Sequence, residues 1–120
     1  MQKLSDSELA IMQHIWRGAR PVTAGGLVGA FCESRGWKIQ TVNTFLTRLT
    51  EKGFLTVRKQ GHQNLYSVTV SEAQYRAAET RSFLDEIHGG SVQSLMAALY
   101  QSDGLTADDV AELKRWLSER

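Results

Sequence analysis

Ile39-Gln40-Thr41-Val42-Asn43-Thr44-Phe45-Leu46-Thr47-Arg48-Leu49-Thr50-Glu51-Lys52-Gly53-Phe54 is the stretch whose pattern decides the fold. Val42, Phe45, Leu46 and Leu49 recur at i, i+3, i+4 and i+7, which makes one apolar stripe on a helix. The opposite face carries Gln40, Thr44, Thr47 and Glu51, flanked by Asn43 and Arg48. Short or planar hydrogen-bonding side chains of this kind can read base edges in a major groove. Gly53 stands where a helix C′ glycine belongs, with Lys52 in the last turn. A hairpin is expected at once: Phe54 to Lys59, a turn over Gln60 to Asn64, then Leu65 to Val70. Its first strand ends in the cations Arg58 and Lys59, close to where a phosphate backbone would pass.

Working outward, the helix starts are marked by capping residues. Ser5-Asp6-Ser7-Glu8 is a capping box, with Leu4 and Leu9 as its hydrophobic staple. The first helix is expected to present Leu9, Met12, Ile15 and Trp16 on one side and to stop near Gly18. Pro21 and Thr23 open a second helix, roughly Ala24 to Ser34, which Gly36 ends. After the hairpin, Ser71-Glu72-Ala73-Gln74 is another capping box, with Val70 and Tyr75 as staple, opening a fourth helix that runs to about His88. Ser91 caps a fifth, whose Val92, Leu95, Met96, Leu99 and Tyr100 form an apolar stripe. Thr106, with Asp109 at the box position, opens a sixth bearing Val110, Leu113, Trp116 and Leu117.

The expected fold is therefore mainly α with a small β-hairpin. Residues 1–70 read as a winged helix-turn-helix DNA-binding head and residues 71–120 as a three-helix dimerisation tail. Amphipathic tail helices must bury their stripes, and a second copy is a natural cover. The interface candidates are Leu95, Met96, Leu99, Tyr100, Val110, Leu113, Trp116 and Leu117; a tail folded back on its own head is the competing arrangement. A two-fold dimer offers two recognition helices to major grooves one turn apart, about 34–36 Å.

The net charge of +1 looks wrong for a nucleic-acid binder, but its distribution resolves the conflict. Residues 1–70 hold nine Lys/Arg against four Asp/Glu, whereas residues 71–120 hold five against nine. A basic front and an acidic back suit a polyanion-binding head and a tail with another task. No apolar run approaches the roughly 20 residues of a membrane span, and Met1-Gln2-Lys3-Leu4 lacks a signal-peptide core. The lone Cys32 excludes an internal disulfide framework and fits a reducing cytoplasm, the expected location.

At this point the residues resemble a known family. Glu8-Leu9-Ala10-Ile11-Met12-Gln13-His14-Ile15-Trp16, then Thr41 to Leu49 with Lys52-Gly53, then a wing ending in Tyr66, are similar to the penicillinase-repressor family of BlaI-, MecI- and CopY-type regulators. The resemblance covers nearly the whole chain. It implies a cytoplasmic homodimeric repressor on inverted-repeat operators, with Thr41, Asn43, Thr44 and Arg48 on the DNA-facing helix. It also implies a partner in induction, a protease linked to a membrane sensor, which cuts the second tail helix and uncouples the dimer. The corresponding bond here is Ala98-Leu99, where the family carries Asn-Phe. The Cys-x-Cys pairs of copper-responsive members are absent. His62 occupies the wing tip where relatives commonly carry Arg, which weakens a phosphate contact or makes it pH-dependent.

Each functional reading has a plainer rival. The third helix could display a merely solvated face, or serve a winged-helix protein-interaction module; wing, charge split and tail together point to DNA. Arg48 could contact a phosphate or a guanine edge, or pair with Glu51 at i+3 or Thr44 at i−4. Lys38, Arg58 and Lys59 suit phosphates better than bases. The DNA-contact set is then Lys38, Gln40, Thr41, Asn43, Thr44, Thr47, Arg48, Arg58, Lys59 and His62. Gly25-Gly26-Leu27-Val28-Gly29 lacks the preceding strand and the Lys-Ser/Thr of a phosphate loop, so it reads as a loosely stable helix packing closely on a neighbour. Trp16 and Trp37 read as packing residues rather than base-stacking platforms. His14, His62, His88 and Cys32 lie on different elements without ligand spacing, so no metal or other cofactor is expected. Cys32 reads as a buried structural thiol or a redox-sensing one. No catalytic motif is present, so an enzyme is not expected. A regulator that senses an effector directly is a further alternative.

Overall fold

The computed structural model describes residues 1–18 and 22–120. Helices α1 (Asp6–Arg17), α2 (Ala24–Arg35) and α3 (Ile39–Glu51) precede strands β1 (Leu55–Gln60) and β2 (Gln63–Val68). Helices α4 (Glu72–His88), α5 (Val92–Gln101) and α6 (Ala107–Ser118) follow. This is the element order that capping and periodicity predict. Pro21, expected to open the second helix, lies outside the described residues. The chain forms two compact units, Met1–Ala78 and Glu79–Arg120.

In the first unit, α1 starts as its sequence demands. The Ser5 hydroxyl accepts from the Glu8 amide at 3.2 Å, and the Ser5 amide donates to Glu8 Oε1 at 2.8 Å. The buried face is not the expected one, however. Glu8, Ile11, Met12 and Ile15 are buried, while Leu9 and Trp16 are only half-buried. The stripe is rotated because a charged residue sits within it. Glu8 is 2% exposed and accepts from Lys52 Nζ at 2.7 Å. Burial pushes its carboxyl up. The hydrogen bonds from Lys52 and from Ser5 outweigh that, and it rests below the ordinary carboxylate value.

Helix α3 buries Val42, Leu46 and Leu49 completely and ends in a Schellman motif. Gly53 adopts φ +83°, its amide donates to Thr50 O, and the Phe54 amide reaches back to Leu49 O at 2.9 Å. The hairpin that follows is tighter than expected. Gln60 pairs with Gln63, so the turn is Gly61-His62 rather than five residues. Gly61 at φ +62° supplies the first position of a type II′ turn, whose twist suits the flanking strands. Val22 adds an antiparallel bridge to Tyr66, whose amide donates to Val22 O at 3.0 Å. No sequence pattern announced this third edge.

The core of the unit gathers side chains from every one of its elements, Ile11, Leu27, Leu46, Phe54 and Tyr75 among them. Both tryptophans pack as expected. Trp16 Nε1 donates to Val70 O at 2.9 Å, and Trp37 lies between the rings of Phe31 and Phe45. The start of α4 belongs here: the Tyr75 hydroxyl accepts from the Leu4 amide, and Arg17 pairs with Glu72. The reading of the glycines in α2 needs correction. A Cβ at Gly25 or Gly29 would meet nothing within 4 Å, so neither glycine serves a close contact inside the unit. Cys32 is likewise exposed rather than buried.

The second unit is built of short, well-capped helices. Gly89 and Gly90, both at positive φ, end α4, and the Gly90 amide donates to Leu84 O. Ser91 caps α5 and Thr106 forms the expected box with Asp109. Among the described residues of this unit only Leu84 is buried.

Candidate nucleic-acid interface

The Schellman stop and the Val42–Leu46–Leu49 stripe fix how α3 is rolled on its axis. Gln40, Asn43, Thr44, Thr47, Arg48 and Glu51 are consequently all exposed. Asn43, Thr44, Thr47, Arg48 and Glu51 together line one shallow concavity. The Thr44 hydroxyl donates to Gln40 O at 3.0 Å, which leaves its lone pairs outward as acceptors. Thr41 is half-buried and lies outside that concavity. Lys38 is the exposed N-cap residue of the helix.

Asn43 also belongs to a second concavity, a cleft of about 300 Å³ between α3, the first turn of α2 and the wing turn. Thr23, Gly25, Ile39, His62, Gln63 and Asn64 are among its walls. Of the expected contact residues, the structure thus joins Asn43 to His62 across this cleft. Gln63, Asn64 and Thr23 were not foreseen, because the expected turn was too long and the approach of α2 is a tertiary matter. Arg58 and Lys59 are exposed on β1, opposite Leu65 and Asn64 of β2.

The charges sort themselves by partner. Lys52 is committed to Glu8, and the Arg35 guanidinium sits over the Trp37 ring at 5.3 Å. Among the described residues, Arg48 takes neither Glu51 nor Thr44 as a partner, and Lys38, Arg58 and Lys59 make no ion pair. These four cations are open to an external anion. Glu51 marks the α3 end at which a phosphate is least welcome. No group of three or more His, Cys, Asp or Glu among the described residues could hold a metal ion. Nor is any described helix long and apolar enough to cross a membrane.

In the tail, Leu95, Met96, Leu99 and Val110 are half-buried, while Tyr100, Leu113, Trp116 and Leu117 are exposed. Phe83, Ile87 and Val92 are exposed too. The i, i+4 spacing of Phe83 and Ile87 was the signal for two of them. Ala98, on α5, is exposed.

A model of the penicillinase repressor family matches residues 4–119. The penicillinase repressor of Bacillus licheniformis is 27% identical over 117 residues, which cover 98% of this chain and 91% of that one. The methicillin resistance regulatory protein MecI of Staphylococcus aureus (strain N315) is 24% identical over 118 residues, covering 98% and 95%. Among solved structures, the DNA-binding domain of the repressor BlaI is similar, with a TM-score of 0.54 and 29% identity. It covers 62% of this chain and 94% of that one. Monomeric BlaI of Bacillus licheniformis in complex with the blaP half-operator aligns with a TM-score of 0.52 and 28% identity, covering 62% and 89%. The family is one of DNA-binding transcriptional repressors, not of enzymes. With its winged-helix head and its match over residues 4–119, the chain belongs to the penicillinase repressor family.

Proposed function

We propose that this DNA-binding transcriptional repressor acts in the cytoplasm as a homodimer on an inverted-repeat operator. One observation carries the reading of the site: the exposed polar face of α3 runs without interruption from Arg48 to Asn43 and into the wing cleft, with Arg48 unpaired among the described residues. In this reading Gln40, Thr41, Asn43, Thr44 and Thr47 meet base edges, and Arg48 meets a guanine edge or a phosphate. Lys38, Arg58, Lys59 and His62 anchor the backbone on either side. The half-operator complex of a relative supports this placement of the head.

The dimer rests on the exposure of Tyr100, Leu113, Trp116 and Leu117, large apolar side chains that a lone chain leaves in water. Leu95, Met96, Leu99 and Val110 complete the proposed interface. Loss of repression would follow cleavage of the tail by a sensor-linked protease at or near Ala98-Leu99. That bond lies inside α5, so the helix must unwind locally before a protease can hold it.

The test is a gel-shift titration on duplex DNA from upstream of the protein's own gene, at several salt concentrations, against a scrambled duplex of equal length. A salt-sensitive preference for the upstream DNA is expected. Arg48→Ala should lower that affinity by about 1–3 kcal/mol and leave the thermal midpoint in place. Equal, weak binding of both duplexes, with dimerisation intact, would turn the reading toward a protein-interaction module.

A further inference from the structure

We infer that His62 is a titrating DNA contact, so that the grip of the wing on the phosphate backbone strengthens as pH falls through the imidazole range. The inference rests on the proposed DNA-binding site and deepens it. His62 occupies the second position of the two-residue turn between β1 and β2, after Gly61 at φ +62°. A turn this short fixes the backbone position from which the exposed His62 side chain extends. It shares a cleft with Asn43, which itself lies on the exposed face of α3. A duplex whose major groove received that face would bring its backbone past the cleft mouth.

The electrostatic surroundings favour the proposal. The cleft walls are Thr23, Ala24 and Gly25 from α2, Ile39 and Asn43 from α3, and Gln63, Asn64 and Tyr66 from the wing. Besides His62, Tyr66 is the one ionisable group among them. Among the described residues, no carboxylate lines the cleft. Lys59 pairs with Asn64 across the hairpin and Lys38 precedes Ile39, so the fixed charges nearest in sequence are positive. Glu33 lies two turns further along α2, and Glu51 ends α3 at its far end. Protonated His62 therefore has no acidic partner in its cleft, and a phosphate oxygen is the anion that can supply one.

Linkage fixes the sign. A phosphate partner raises the imidazole pKa in the complex, so binding takes up protons. The extra affinity is present while the imidazole is protonated and is lost as pH rises through the imidazole range. One phosphate contact adds about 0.9 to the steepness of log K against log salt, hence about 1.8 for a dimer with two wings.

The experiment is a salt titration of the full chain on the upstream duplex and on a scrambled duplex, at pH 5.5 and pH 8, for wild type, His62→Gln and His62→Arg. The salt dependence of wild type should be steeper at pH 5.5 than at pH 8 by about 0.9 per wing. His62→Gln should be shallow at both pH values and His62→Arg steep at both. His14 and His88 are present in all three proteins, so they cannot mimic this pattern. An equal pH effect in wild type and His62→Gln would overturn the role of His62 while leaving the DNA site standing. Binding of neither duplex by any of the three proteins would overturn both.

Discussion

Residues 1–78 and residues 79–120 treat their apolar side chains in opposite ways. The first unit hides Ile11, Met12, Val42, Leu46, Leu49 and Phe54 completely. The second leaves Ile87 at 64%, Tyr100 at 72% and Leu117 at 55% exposure. Both are helical, both are well capped, and both carry amphipathic stripes. The difference is that the stripes of the first unit face one another, whereas those of the second bury only Leu84 and leave most of their large apolar side chains half-buried or exposed. Capping and periodicity form helices; only reciprocal burial makes a core. The first unit closes a core of its own, and the second keeps most of its large apolar side chains in contact with solvent.

The most severe way to break the contrast is through Phe54. Its ring is wholly buried and meets Tyr75 edge-on at 5.5 Å. Phe54→Ala is expected to cost about 3–5 kcal/mol of head stability, read by urea unfolding. A loss below 1 kcal/mol would mean the unit is not the dense core described. Next in size is Lys52→Ala, which strands the Glu8 carboxylate at a cost of about 3 kcal/mol near pH 7. Because the Glu8 pKa is depressed in the folded state, the pair contributes above the unfolded value near 4.3 and its contribution is lost as pH falls through the folded one. The gap between wild type and Lys52→Ala should therefore narrow in acid; unfolding curves at pH 7 and pH 3 check this.

Leu117→Asp sharpens the other side of the comparison. At 55% exposure this side chain contributes little to a lone chain. The variant should weaken self-association tenfold or more, about 1.4 kcal/mol, without moving the unfolding of the head. Sedimentation equilibrium reads the first and urea unfolding the second. An unchanged association constant would move the proposed interface off α6. The smallest effect is expected at Gly29. With open space where its Cβ would be, Gly29→Ala should stabilise the head by about 0.5–1 kcal/mol, a rise in the thermal midpoint.

What was legible in the chain follows the range of the interactions. Ser5 with Glu8, Ser71 with Gln74 and Thr106 with Asp109 are three residues apart, and all three boxes form. The stop of α3 at Gly53 was equally local. The second role of Glu8 was not, because Lys52 is 44 residues away. A rule that assigns charged residues to the surface rotated the buried face of α1 by one position. The bridge from Val22 to Tyr66 and the cleft joining Asn43 to His62 depend on packing that no window of sequence contains. In α2 the many small residues blur any apolar stripe. Leu27 and Phe31 alone of its residues are buried, and the direction faced by Cys32 could not be read.

The glycines of α2 carry one more consequence, and it concerns motion. Gly25, Gly26 and Gly29 each give the unfolded chain freedom that the helix must remove, and two of them return no contact. In hydrogen exchange, the amides of α2 are therefore expected to open more readily than those of α3, which is anchored by three fully buried side chains. Its first turn is also a wall of the wing cleft. Any ligand seated there must still that turn before it gains from it, so part of the binding free energy goes into quieting the scaffold. The affinity of such a ligand would then fall short of what its contacts alone allow.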